Sequence, residues 1–151
     1  MKCLVDTNIL LDHYQNRMPF AKPAELLLAL GHVGELDLWM SSTQATDTFF
    51  ILSEGGKPRL LDETHRIIKA VRKCIHVCSV GEREIDAALE SPWKDFEDAC
   101  VYQAALKIKA DAIITRNKKD FERSSIKVFD CDELFAYLKR EKGLDYGFID
   151  L

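Results

Sequence analysis

The chain has 151 residues, 47% of them hydrophobic and 30% charged, with a formal net charge of −4 at pH 7. No run of about 18 apolar residues exists to span a bilayer, and the acidic balance argues against a generic polyanion binder, which needs local Lys and Arg. Five cysteines, at positions 3, 74, 78, 100 and 131, form no Cys-x-x-Cys pair, so buried thiols fit better than a disulfide framework or a zinc site.

The opening Met1-Lys2-Cys3-Leu4-Val5-Asp6 meets an acid after three apolar residues, too soon for a signal peptide, and a cytoplasmic location is expected. Residues 2–6 predict a short buried strand whose exit, Asp6-Thr7-Asn8, caps the next helix. After a break at Met18-Pro19, the leucine cluster predicts a helix over 20–30, stopped near Gly31 and Gly34. A strand follows over 36–40. Ser41 and Ser42 are caps for a helix to about residue 53, and Gly55-Gly56-Lys57-Pro58 reads as a loop. Helical spacing over 62–73 gives way to a strand over 74–80, with Cys74 and Cys78 on one face. Two helices, 82–90 and the Ala-rich 96–110, lead to a strand at 112–115, a turn at 118–121, a strand at 126–129 and a helix over 132–142. Strands alternating with helices predict an α/β fold with a mainly parallel sheet of about five strands and helices on both faces. One domain is expected over 1–142. The tail 143–151 carries Leu144, Tyr146, Phe148, Ile149 and Leu151 and is too apolar to be a free solvated end, so it packs on the domain or across a homodimer.

Four segments put an acid or amide where a strand hands over to a helix or within a helix's first turns. They contain Asp6-Thr7-Asn8, Asp47, Asp95-Phe96-Glu97-Asp98 and Thr115-Arg116-Asn117-Lys118-Lys119-Asp120-Phe121. Each has an ordinary explanation as a helix cap, a solvated helical acid or a turn residue. Together they place oxygen ligands at one edge of the sheet, which suits Mg²⁺ or Mn²⁺ and hence phosphodiester chemistry. The net negative charge is compatible with this, because bound cations neutralise such a cluster. The four histidines form no ligand pair at helical spacing.

These segments resemble the motifs of PIN-domain ribonucleases, most closely the bacterial VapC-like toxin branch, over about residues 2–138. The resemblance implies a PIN-like three-layer sandwich and metal-assisted hydrolysis of RNA by Mg²⁺ or Mn²⁺ held on Asp6, Asp47 and Asp98, the catalytic acids, with Asn117 or Asp120 completing the metal ligands. Two positions depart from the family pattern. Asp47 stands where many members have Glu, and Asn117 where many have Asp, so one firmly held ion and a weaker second are implied. Thr7, Asn8, Ser41, Asp95 and Thr115 are expected to orient the acids, and Arg116, Lys118, Lys119 and Arg123 to grip RNA phosphates. The same likeness implies the toxin of a toxin–antitoxin pair, with a small antitoxin protein as partner, and a homodimer.

Two alternatives belong to other classes. Haloacid-dehalogenase-type phosphatases need a second Asp two residues after the first, where this chain has Asn8. A PIN fold with a weakened acid set that binds RNA or protein without cutting is the stronger rival, and Asn117 is the residue that keeps it open.

Overall fold

The computed structural model describes residues 1–147 and 149. Its elements are β1 (Lys2–Val5), α1 (Thr7–Tyr14), α2 (Ala21–His32), β2 (Asp37–Ser41), α3 (Ser42–Leu52), α4 (Pro58–Cys74), β3 (His76–Cys78), α5 (Glu82–Glu90), α6 (Phe96–Lys107), β4 (Ala112–Ile114), a 3-10 turn (Lys118–Phe121), β5 (Lys127–Phe129) and α7 (Cys131–Lys142). The strands form one sheet in the order β3-β2-β1-β4-β5, every pair parallel.

Alternating side chains divide this sheet between two cores, as the period of two along a strand requires. Cys3, Val5, Leu38, Met40, Ala112 and Ile114 point into the larger core, with Ile9 and Leu10 of α1, Leu27 of α2, Val71 of α4 and Leu134 of α7. Leu4 and Ile113 point the other way, onto Val101, Ala104 and Ala105 of α6 and Phe121 of the 3-10 turn. Ala88, Ala99 and Cys100 seal α5 to α6. The result is three layers, as expected. Parallel strands buried on both faces are apolar throughout, and Ala112-Ile113-Ile114 is fully buried.

Several boundaries differ from those read off the sequence. Gly31 does not stop α2, which runs on to His32; a Cβ there would meet Leu38 Cδ1 at 2.5 Å and the Cys74 carbonyl at 2.7 Å, so glycine is needed for close packing. The stop comes at Gly34, whose φ of +80° an L side chain rarely adopts. Pro58 opens α4 instead of closing the preceding loop, since proline suits a first helical position. Cys74 is the last residue of α4 and not a strand neighbour of Cys78, because β3 is only three residues long. All five cysteines are free thiols. Burial pushes Cys3 and Cys131 up to about 12, so both stay protonated.

Beyond α7, Gly143 takes the left-handed cap conformation and Leu144 N donates to Leu138 O at 3.2 Å. Lys139 pairs with Asp145 at 2.7 Å. Tyr146 packs on the larger core, and with Ile149 it lines a groove beside Leu26 and Phe135. Phe148 and Leu151 lie outside the described residues. Among the described residues no helix is long and apolar enough to cross a membrane.

Candidate active site

β1 is the central strand, and its neighbours β2 and β4 are reached by connections on opposite faces, so a crevice opens beyond its carboxyl end. Asp6 stands there, as the N-cap of α1 and only 8% exposed. Its Oδ1 accepts from Thr7 N at 2.7 Å, and its Oδ2 accepts from Thr115 Oγ1 at 2.7 Å and Asn8 Nδ2 at 2.9 Å. Three of about four acceptor sites are thereby filled, leaving capacity for a cation on Oδ1. Burial raises the Asp6 carboxyl despite the opposing hydrogen bonds from Thr115 and Thr7. Thr115 is itself saturated, accepting from Asn8 Nδ2 at 3.2 Å and Asn117 N at 3.0 Å while donating to Asp6. Thr7, Asn8 and Thr115 thus make one polar knot around the first acid.

The second acid-bearing helix is locked to this knot. Ser41 and Gln44 form a reciprocal cap at the start of α3, Ser41 Oγ accepting from Gln44 N at 3.1 Å and Gln44 Oε1 from Ser41 N at 2.8 Å. The buried Gln44 amide then donates to Val5 O at 2.9 Å and to Thr7 Oγ1 at 3.4 Å. Ser41 therefore sets the helix start, its side-chain hydrogen bonds among the described residues going to Gln44 and Thr43. Asp47 is half-buried one turn further along α3.

A third group comes from α6, whose amino end faces the same edge. Asp95 is its N-cap, Oδ1 accepting from Asp98 N at 3.0 Å. Asp98 is pushed up to about 7, first by burial and then by the charges of Asp95, Asp6, Asp120 and Glu97. Glu97 is raised as well, by burial and then by Asp47, Asp95 and Asp6. Six carboxylates from four segments therefore share one field. Glu97 shares this field although the sequence does not single it out, and its place between Asp95 and Asp98 in one turn is a usable signal. Gln44, which links two acid-bearing helix starts, carries no such signal.

The remaining positions separate into two groups. Asp95, Asp98, Lys119, Asp120 and Arg123 line a cleft of about 260 Å³ with Trp93 and Lys94. Trp93 stacks on Tyr102 at 4.7 Å. Asn117 is exposed at the head of the 3-10 turn, and its side chain makes no cap hydrogen bond. Arg116 and Lys118 face elsewhere: Arg116 Nε donates to Asp12 Oδ2 at 2.6 Å, and Lys118 is paired with Glu133 at 2.5 Å and Asp130 at 3.7 Å.

The donor set is all oxygen and strongly anionic, the chemistry of a hard divalent cation. Among the described residues no three Asp, Glu, His or Cys side chains are drawn up into a ready metal-holding group. The fit lies in donor type and charge, and a cation would have to draw the acids inward.

An all-parallel sheet with acids gathered at the carboxyl end of its central strand defines an α/β protein built to hold charge at that edge. The model of the PIN domain family matches residues 2–119, and the chain belongs to that family. It is similar to Ribonuclease VapC1 of Aquifex aeolicus (strain VF5), with 27% identity over 137 residues, 87% of this chain and 92% of that protein. Solved structures share the fold. They include a chain of VapBC2 from Rickettsia felis bound to a promoter DNA fragment (TM-score 0.61, 14% identity, covering 86% of this chain and 98% of that one) and a chain of FitAB bound to IR36 DNA (0.64, 15%, 85% and 94%). A toxin–antitoxin complex from Klebsiella pneumoniae aligns at 0.56 with 21% identity, covering 80% and 90%.

Proposed function

We propose that this protein is a metal-dependent endoribonuclease and the toxin of a toxin–antitoxin pair, acting in the cytoplasm with Mg²⁺ or Mn²⁺. The observation that carries the reading is the mutual crowding of Asp6, Asp47, Asp95, Glu97, Asp98 and Asp120 at one sheet edge of a PIN fold, beside Lys119 and Arg123. Asp6, Asp47 and Asp98 would hold the ion, with Glu97 and either Asp120 or Asn117 completing the donors. When bound, such an ion polarises a phosphoryl oxygen and acidifies water. Asp98, as a ligand of that ion, would also help to position the attacking water. Lys119 and Arg123, with Lys94 beside them, would hold the phosphates that flank the cut bond. Thr7, Asn8 and Thr115 would hold Asp6 in one orientation, and Asp95 would fix the turn that carries Asp98.

The toxin–antitoxin complex from Klebsiella pneumoniae among the fold relatives supports a small antitoxin as partner. Leu89, Phe96 and Leu106 are large exposed apolar side chains on α5 and α6, which supports a homodimer, testable by sedimentation.

The deciding experiment is cleavage of RNA by the purified chain with Mg²⁺, Mn²⁺, Ca²⁺ or chelator. Cleavage is expected with the first two only. Millimolar Mn²⁺ is also expected to raise the melting temperature, because clustered carboxylates repel until a cation joins them. Mn²⁺ binding without cleavage would favour the weakened, RNA- or protein-binding alternative, and a melting temperature indifferent to Mn²⁺ would count against any metal site.

Asn117 gives a separate test. Asn117→Asp adds a charge and a stronger oxygen ligand, so Mn²⁺ affinity is expected to rise with turnover held or increased, while Asn117→Ala lowers both. Asn117→Ala should cost no stability, since the side chain caps nothing, whereas the added charge of Asn117→Asp should lower the melting temperature of the metal-free chain. Unchanged affinity in both, measured by titration calorimetry, would leave Asp120 as the better ligand.

A further inference from the structure

Asp12 sits on α1 with its side chain 0% exposed. Its Oδ2 accepts from Arg116 Nε at 2.6 Å, whereas Oδ1 has no hydrogen bond among the described residues, with Arg17 Nη1 3.9 Å away. A carboxylate taken from water with one oxygen unfilled is a poor way to stabilise a fold, since apolar side chains of like volume often do as well. Stability does not account for the pair.

What the pair does is fix Arg116, and Arg116 is held at three points. Asp12 takes its Nε, the Phe20 ring lies 4.5 Å from its guanidinium carbon, and its main-chain N donates to Asn8 Oδ1 at 3.3 Å. Asn8 is the residue that also donates to Asp6 and Thr115. Arg116 lies between Thr115, bonded to Asp6, and Asn117, which opens the turn carrying Asp120. Between the end of β4 at Ile114 and that turn there is no regular structure: Thr115 N donates to Phe129 O at 2.9 Å, and the next two main-chain N–H groups, of Arg116 and Asn117, go to side-chain oxygens.

We propose that Asp12 is a positioning residue for the acidic site: through Arg116 it fixes the loop that presents Asn117 and Asp120 to Asp6. The guanidinium is required for this role, since only a planar fork satisfies an in-plane carboxylate bond and a flat ring contact together. Arg116 is a loop anchor and not a phosphate grip. The claim rests on the ribonuclease reading only for its activity measurements.

The test replaces the pair by apolar side chains, Asp12→Leu with Arg116→Met, alongside the single changes Asp12→Asn and Arg116→Lys. The double variant is expected to melt at or above the wild-type temperature. Its Arg116, Asn117 and Asp120 amides are expected to exchange hydrogen about tenfold faster while those of Leu4 and Ile113 are unchanged, and Mn²⁺ affinity to fall about tenfold. RNA turnover should drop in kcat with KM little altered, and Arg116→Lys, which keeps the charge without the planar fork, should show the same losses. Wild-type exchange and Mn²⁺ affinity in the double variant would overturn the proposal. Should that variant fail to fold, Asp12→Asn, which keeps the shape and removes the charge, is read by the same measurements. If the wild type neither cleaves RNA nor binds Mn²⁺, the ribonuclease reading fails, and the exchange rates alone still decide whether Asp12 holds the loop.

Discussion

Asp98→Asn is expected to lower metal-dependent RNA cleavage by about two to four orders of magnitude while raising the melting temperature of the metal-free protein. Asp98 is the acid most crowded by others, and removing its charge relieves repulsion from Asp95, Asp6, Asp120 and Glu97 together. For a chain of this size each kcal/mol relieved is worth about 2–4 °C. Asp6→Asn should be as inactive for a different structural price. Every acceptor used on Asp6 faces a donor, Thr7 N on one oxygen and Asn8 Nδ2 with Thr115 Oγ1 on the other, so an amide NH₂ must oppose at least one of them. A loss of about 1–3 kcal/mol is expected there. Cleavage by either variant near the wild-type rate would remove that acid from the chemistry. A lower melting temperature for Asp98→Asn would mean that the acid is structural.

The second large effect is on stability against pH. The Asp98 carboxyl titrates at about 7 in the folded chain against an ordinary 3.8, so between those values the folded state keeps a proton that the unfolded chain has released. Stability from this group is therefore present at low pH and is lost as pH rises from about 4 to about 7. The loss is on the order of 2 kcal/mol once solvent screening of a half-buried group is discounted. Glu84 and Glu133 are shifted the opposite way by their hydrogen bonds, and their contribution disappears only as pH falls below the usual carboxylate range. In chelator, the wild type is thus expected to melt higher at pH 5 than at pH 8. Asp98→Asn flattens that slope, and Mn²⁺ restores the wild type at pH 8. Equal slopes in wild type and variant would refute the assignment.

The layered fold was legible because its signals are local and redundant. Apolar runs of strand length alternate with capped helices, and the Ser41 cap and the Glu82–Glu90 helix fall where the sequence puts them. Helix ends set by packing were not legible: Gly31 looks like a terminator until Leu38 and the Cys74 carbonyl are seen against it. At the site, acids beside strand ends were readable as a group, since the period and the caps place them on one edge. Which cations face them was not. Arg116, Lys118, Lys119 and Arg123 look alike in sequence, and only the fold shows that the first two are engaged by Asp12, Glu133 and Asp130. Asp12 itself reads as one more polar residue on α1, and its partner lies 104 residues away.

The sheet order also has a consequence for how the site is completed. β1 comes earliest of the five strands in chain order, yet one of its two neighbours is β4, and the Thr115 hydroxyl that steadies Asp6 is 109 residues distant. A chain cut before β4 would leave β1 as an open edge, with Asp6 lacking one of its three donors. The acidic edge is thereby completed only by long-range pairing, because the central strand precedes the others in the sheet and is enclosed only when β4 docks beside it.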